Sequence, residues 1–340
     1  MKTLVWEAPR VMHVRTQDTP EPQPGEALIK VAYVGICGSE LSGYLGHNAL
    51  RVPPLVMGHE FVGEVVALGM GDSALSVGQR VTVNPILSCG TCEFCERGLN
   101  HLCVRRKVIG AHLPGAYAEF ISVPAESVLP LPSDMPLRIG ALTEPVACAV
   151  RIGELAGSVT NEDVLVIGAG PIGLLALQAL RLNGAKRVFI ADLDAERLAI
   201  GRALGGEALN PREVDVVETV RQATAGLGVA VSVDAVGMAV TRKQCVSATR
   251  SAGTLILTGL HEEHSDMPVA DMIRREIVAR GSFAYSPANF KQALALLAAG
   301  KFRLDPWIVE APLAEGGAWF ERLINAPGNV AKVLLVPGQG

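Results

Sequence analysis

Residues 163–192 impose the strongest constraint on the fold. Asp163–Gly168 (DVLVIG) is an apolar run, a glycine-rich turn GAGPIG occupies 168–173, Pro171–Asn183 has a helical pattern, and Arg187–Asp192 (RVFIAD) is a second apolar run. Strands that are apolar throughout need cover on both faces, which a parallel sheet flanked by helices provides. The rhythm persists, with a helix at Ala195–Leu204 and strand candidates at Ala230–Val236, Thr254–Thr258 and Ile277–Ser282.

The turn carries chemistry as well as shape. A G-x-G-x-x-G sequence that follows a strand and opens a helix has the context of a dinucleotide loop. Gly168 permits the tight turn, Gly170 lets backbone approach a pyrophosphate, and Gly173 allows close helix packing. Pro171 and Ile172 complete the loop and open the helix, whose free N–H groups favour an anion. Asp192 ends the second strand, where a carboxylate accepts from both ribose hydroxyls of NAD and repels the 2′-phosphate of NADP. Asp194 is equally placed to cap the next helix, and Arg197, one turn on, is positioned to attract a phosphate. NAD is expected over NADP.

The first 150 residues read differently. Short β-branched runs (Ala27–Val34, Phe61–Ala67, Arg80–Val83, Phe120–Val123) alternate with Gly and Pro, and a final strand, Ala331–Val336, follows a helix at Pro287–Ala299. A parallel sheet fits this part poorly. At 340 residues the chain exceeds what one core supports. The final strand is expected to return to the first domain.

Charge and composition exclude several classes. Thirty basic and 34 acidic side chains are interspersed, for a net charge of -4, without a basic run that would bind nucleic acid or a membrane surface. The opening MKTLVWEAPRVMHV lacks the apolar core of a secretory leader. No apolar stretch reaches the roughly 18 residues of a membrane span. A cytoplasmic protein is expected, and its clustered cysteines are then metal-bound rather than disulfide-bonded.

Two groups of metal-ligating residues stand out. Cys89, Cys92, Cys95 and Cys103 suit a closed tetrahedral zinc site that would hold together a lobe too small for its own core. Iron–sulfur ligation is the rival on spacing alone. The second group is scattered: Cys37 in VGICGSE, His59 and Glu60 in VMGHEF, and Glu144 in ALTEPVAC. A thiolate, an imidazole and a carboxylate are ligand types of a catalytic zinc. A Lewis acid is also what hydride removal from an alcohol needs.

Read together, CGSE at 37–40, GHE at 58–60, the CGTCEFC lobe, EPVACAV at 144–150, GAGPIG at 168–173 and ADLD at 191–194 resemble the zinc-containing medium-chain dehydrogenases from end to end. The resemblance implies an α/β protein: a GroES-like, β-rich catalytic domain (1–150 and 286–340) interrupted by a Rossmann-type doubly wound domain (151–285). It implies two zinc ions per chain. A catalytic zinc would sit on Cys37, His59 and either Glu60 or Glu144, and a structural zinc on the four cysteines of a lobe at about 86–106. Glutamate at 144 is similar to polyol, threonine and galactitol-phosphate dehydrogenases. The expected substrate is therefore a polyol, a sugar alcohol or its phosphate. Ser39 matches the family's first proton-relay hydroxyl, and homo-tetramers or homo-dimers are usual.

Two positions depart from the family pattern. Glu40 stands where an aspartate usually steadies the zinc-bound histidine. Ser42 stands where many relatives carry a relay histidine; Tyr44, His47 or water are the stand-ins available. His47 and Arg51 are candidates for binding phosphate or hydroxyl groups, or are solvated loop residues. The rival functions are an L-threonine 3-dehydrogenase, a simple secondary-alcohol dehydrogenase, a non-catalytic dinucleotide-binding relative and a nucleic-acid-binding zinc protein.

Overall fold

The structure, a computed structural model, describes residues 1–71 and 73–338. Asp72 and the last two residues of the 286–340 range lie outside them. The chain forms two compact units: Met1–Glu144 with Ser286–Gly300 and the segment from Leu304 onward, and Pro145–Tyr285 with Lys301–Arg303. The division falls inside the helix Thr143–Ala156, so its first turn, with Glu144, belongs to the first unit. Lys301–Arg303 joins the second unit because the Gln178 side chain bonds both the N–H and the carbonyl of Arg303 (2.7 and 3.1 Å).

The first unit is built on an antiparallel sheet. Its path runs Val128–Pro130, Arg80–Val83, Glu60–Leu68, Glu26–Gly35, Lys332–Val336 and Ile308–Pro312, with Phe120–Pro124 also paired to Glu26–Gly35. Within this sheet, among the described residues, only the Ile308–Pro312 and Lys332–Val336 pair is parallel. The C-terminal strand does return to this unit, pairing Leu334 with Gly35. Trp6, Met57, Phe61, Tyr117 and Phe320 fill the core, each burial of such a side chain contributing about 2–3 kcal/mol. An opening hairpin, Lys2–Ala8 with Val11–Thr16, escapes the sequence pattern because its second strand is mostly exposed.

The second unit contains a parallel sheet in the order Glu207–Leu209, Arg187–Ala191, Asp163–Ile167, Val229–Asp234, Thr249–Leu257, Val278–Gly281. Counting strands along the chain, this is 3-2-1-4-5-6, the order of a dinucleotide-binding sheet, with its switch point between Asp163–Ile167 and Val229–Asp234. Both strands at that point are almost wholly buried. Thr249–Leu257 begins five residues earlier than the apolar run starting at Thr254 suggests, its first half being more polar. No helix among the described residues is long and apolar enough to cross a membrane.

Candidate functional site

The dinucleotide loop follows the glycine logic. Gly168 adopts φ +103° at the end of its strand, a conformation that disfavours any residue with a Cβ. A Cβ on Gly173 would lie 1.7 Å from the Gly168 carbonyl oxygen, whereas one on Gly170 would meet nothing within 4 Å. The first contact packs helix on strand. The open space lies at the N-terminus of the helix Pro171–Leu182, where no side chain caps the free N–H groups. Asp192 accepts from Ala169 N–H (2.7 Å) through one oxygen and from Asp194 N–H (2.9 Å) through the other. It thus ties the end of its strand to the glycine loop. Capping of the helix Ala195–Ala203 falls to Asp194, which leaves the remaining Asp192 lone pairs for a ligand. The Arg197 Nε is buried without a hydrogen-bond partner among the described residues.

The four-cysteine lobe is gathered. A short hairpin, Ile86–Leu87 with Lys107–Val108, closes its base. The sulfurs of Cys89, Cys92, Cys95 and Cys103 all lie within 4.8 Å of one another, and all four are free thiols. The Thr91 N–H is the main influence holding Cys89 down to about 5. The Cys95 N–H likewise lowers Cys92. Desolvation raises Cys95. The thiolate is the form that binds metal.

The scattered group converges in part. Cys37, His59 and Glu60 bring one ligand atom each within 4.8 Å of one another. Cys37 stands at the N-cap of the helix Gly38–Tyr44, and Glu40 reaches back to accept from the Cys37 N–H (3.1 Å). Glu60 opens its strand opposite Gly35. A Cβ on Gly35 would lie 2.2 Å from a Glu60 oxygen, so that glycine makes room for the carboxylate. Glu144 is buried in the first turn of its helix but stands outside this cluster.

Glu40 steadies His59. Its Oε1 accepts from the Gly58 N–H (2.9 Å) and from His59 Nδ1 (2.7 Å), and its Oε2 accepts from the Tyr117 hydroxyl. A carboxylate only accepts, so His59 Nδ1 carries the proton of this bond. Burial would raise Glu40, but the His59 ring, Arg51 and Tyr117 outweigh it and hold the carboxyl at about 2. Burial likewise works against a charged His59, yet the Glu40 carboxylate and the Cys37 sulfur push the ring well above the usual histidine range.

Family models cover both units. The Alcohol dehydrogenase GroES-like domain matches residues 23–133 and the Zinc-binding dehydrogenase model matches residues 171–299. The sorbitol dehydrogenase of Halalkalibacterium halodurans is 34% identical over 345 residues, 99% of each chain. This chain is a zinc-containing medium-chain dehydrogenase. The L-threonine 3-dehydrogenase of Pyrococcus abyssi is also similar to this dehydrogenase, 34% identical over 86% of this chain and 85% of that one. Among solved structures, a chain assigned as a zinc-binding dehydrogenase of Sinorhizobium meliloti 1021, bound to NADP, superposes at TM-score 0.93 with 31% identity, covering 99% of both chains.

Two residues of this dehydrogenase site, Lys332 and Tyr117, escape a reading of the sequence. Lys332, only 2% exposed, places its ammonium 2.8 and 2.7 Å from the two Glu60 oxygens and 3.0 Å from the Ile36 carbonyl. Burial opposes its charge, while Glu60, Cys37 and Glu144 favour it and the balance raises its pKa. A lone lysine in an otherwise apolar strand, KVLLV, was the available signal. Tyr117, which braces Glu40, carried no signal. Arg51 is a buried partner of Ser39 rather than a solvated loop residue or a free phosphate clamp. Of the stand-ins for the relay histidine, Tyr44 is engaged by the Arg10 carbonyl and Glu321, and His47 is exposed.

Proposed function

We propose that this dehydrogenase transfers hydride from a secondary alcohol, as found in polyols, sugar alcohols and their phosphates, to NAD, leaving a ketone. The observation carrying the proposal is the convergence of Cys37, His59 and Glu60, in a chain that also bears an open dinucleotide loop. The donor set suits zinc: one thiolate, one imidazole and one carboxylate are ligand types of an open catalytic site, and four thiolates those of a closed structural site. Two zinc ions per chain are proposed on this basis. Zinc bound at the first site would polarise the alcohol oxygen and ease loss of its proton.

The chain's own residues do the remaining work. Glu40 holds the His59 ring in one orientation. Ser39, whose hydroxyl donates to the Cys37 sulfur (3.4 Å), takes the alcohol proton and gives its own to water. The loop Gly168–Gly173 and the helix behind it bind the pyrophosphate. Asp192 favours NAD by accepting from the ribose hydroxyls. The third metal ligand is Glu60 or Glu144: Glu60 stands in the cluster with both its oxygens held by Lys332, and Glu144 stands outside it.

A threonine dehydrogenase is the second reading, supported by the Pyrococcus relative; a simple secondary-alcohol dehydrogenase and a non-catalytic relative are the remaining rivals. The deciding experiment is a screen of NAD and NADP reduction with sorbitol, galactitol 1-phosphate, threonine and 2-propanol, alongside zinc analysis. Polyol-dependent NADH formation with two zinc ions bears the proposal out. Reduction with threonine alone selects the second reading, and no reduction with intact zinc selects a non-catalytic protein. A reducing cytoplasm suits a chain with seven free cysteines. A homo-dimer or homo-tetramer fits the sheet edge Val278–Gly281, exposed at all four residues, and light scattering measures it.

A further inference from the structure

Arg51 sits in a loop whose neighbours Leu50 and Val52 are 52% and 71% exposed, yet it is itself only 6% exposed. Burying a guanidinium costs several kcal/mol unless its donors are well matched. Its Nε donates to the Gly110 carbonyl (3.2 Å), one terminal nitrogen to the Ser39 carbonyl (3.2 Å) and the other to Ser39 Oγ (3.3 Å). The helix carrying Ser39 leaves a groove for this side chain: a Cβ on Gly43 would lie 2.6 Å from Arg51 Cδ. Asn48 adds a second donor to the Ser39 carbonyl (3.5 Å). All these hydrogen-bond partners are uncharged, and the charge that offsets the cation is the Glu40 carboxylate, which Arg51 helps to hold ionised. Two of the three bonds fall on Ser39, gripped at both its backbone and its hydroxyl.

We infer that Arg51 is a positioning residue that holds the Ser39 hydroxyl beside the Cys37 cluster in the orientation that relays a proton. The inference rests on the dehydrogenase reading above. A hydroxyl has one proton and two lone pairs. Arg51 occupies one lone pair, and the proton points to Cys37 Sγ at 3.4 Å, which leaves one lone pair to receive the alcohol proton. As the alcohol O–H bond breaks and a new Ser39 O–H bond forms, the original Ser39 proton leaves to water. Arg51 has no acceptor, so the proton cannot be lost to it. Its charge also favours the electron-rich serine oxygen during the transfer.

The test uses the zinc-loaded full chain, with sorbitol or the best alcohol of the screen as probe. Arg51→Met is expected to lower kcat by about 10–100-fold, the usual scale for misplaced proton transfer. KM and NAD affinity should change less than about threefold, since Arg51 touches neither ligand in this account. In a Ser39→Ala background the same substitution should have almost no effect, because both changes remove one relay. Losses that multiply would overturn the inference by showing that Arg51 acts elsewhere. If Arg51→Met does not fold, Arg51→Lys keeps the charge but not the two-pronged grip, and should lose about tenfold in kcat, again masked by Ser39→Ala. A crystal structure of the folded variant gives a readout independent of turnover. Ser39 Oγ is expected to leave Cys37 Sγ, and an unmoved hydroxyl refutes the inference even if no substrate is found. Absence of all dehydrogenase activity in the unaltered protein would instead refute the dehydrogenase reading.

Discussion

The Nζ of Lys332 lies 2.8 and 2.7 Å from the two oxygens of Glu60, and both side chains are sealed from solvent. Removing one member of a buried ion pair strands the other, at a cost of about 3–5 kcal/mol, while replacing both is far milder. Lys332→Met is therefore expected to destabilise the fold by about 3 kcal/mol, and the double variant with Glu60→Gln to regain most of that. Urea unfolding of the three proteins measures it. A double variant as unstable as Lys332→Met would show that the pairing itself is unimportant.

The same contact gives a test that ranks the two glutamates. If the Lys332 contact keeps Glu60 off the metal, Glu144→Gln should remove about one equivalent of zinc per chain and Glu60→Gln should leave zinc nearly unchanged. Cys37→Ser should match Glu144→Gln and nearly abolish turnover. Metal analysis after gel filtration decides; the reverse ranking assigns the resting ligand to Glu60.

The cysteine lobe should be separable from the chemistry. Cys92→Ser is expected to lose the other zinc and to expose the 86–106 segment to limited proteolysis, because four thiolates replace a core there. NAD binding by the second unit should persist. A lobe that resists protease without its zinc would contradict this.

Asp192→Ala removes the proposed ribose acceptor and with it the repulsion of a 2′-phosphate. NAD affinity should fall by about tenfold or more while NADP affinity holds or improves, about 1.4 kcal/mol corresponding to each factor of ten. Cofactor titrations followed by nicotinamide fluorescence provide the ratio. An unchanged ratio rules Asp192 out as the selector.

Burial, and then the facing Glu321 carboxylate, raise the Tyr44 phenol to about 12. The folded chain keeps this proton to about 12, while the unfolded chain loses it near 10. The contribution to stability is thus complete below about pH 10 and disappears as pH rises through about 12. Tyr44→Phe should flatten the decline of the urea midpoint across that window, whatever its effect at neutral pH. An identical slope in the variant would count against the shift.

What could be read directly from the sequence was chemistry confined to short stretches. GAGPIG was legible because its backbone needs are local: a positive φ at Gly168 and no Cβ at Gly173. The cysteine lobe was legible because its four sulfurs lie within fifteen residues, 89–103. The alternation after residue 160 revealed a parallel sheet because strands buried on both faces are apolar throughout.

The candidate metal cluster was legible as a set of residue types and not as a geometry. Cys37, His59 and Glu60 meet because Glu26–Gly35 pairs with Glu60–Leu68 in one register, and a one-residue slip would turn the side chains to opposite faces. Lys332 reaches Glu60 across 272 positions only because the last strand inserts beside Gly35, and Arg51 meets Ser39 only because a loop folds inward over Gly43. The sequence by itself determined the ligand types, the loop and the parallel sheet of the second unit. Tertiary structure alone decided which carboxylate the lysine holds and which cation steadies the serine, because sheet register and burial depend on the whole chain and ligand chemistry does not.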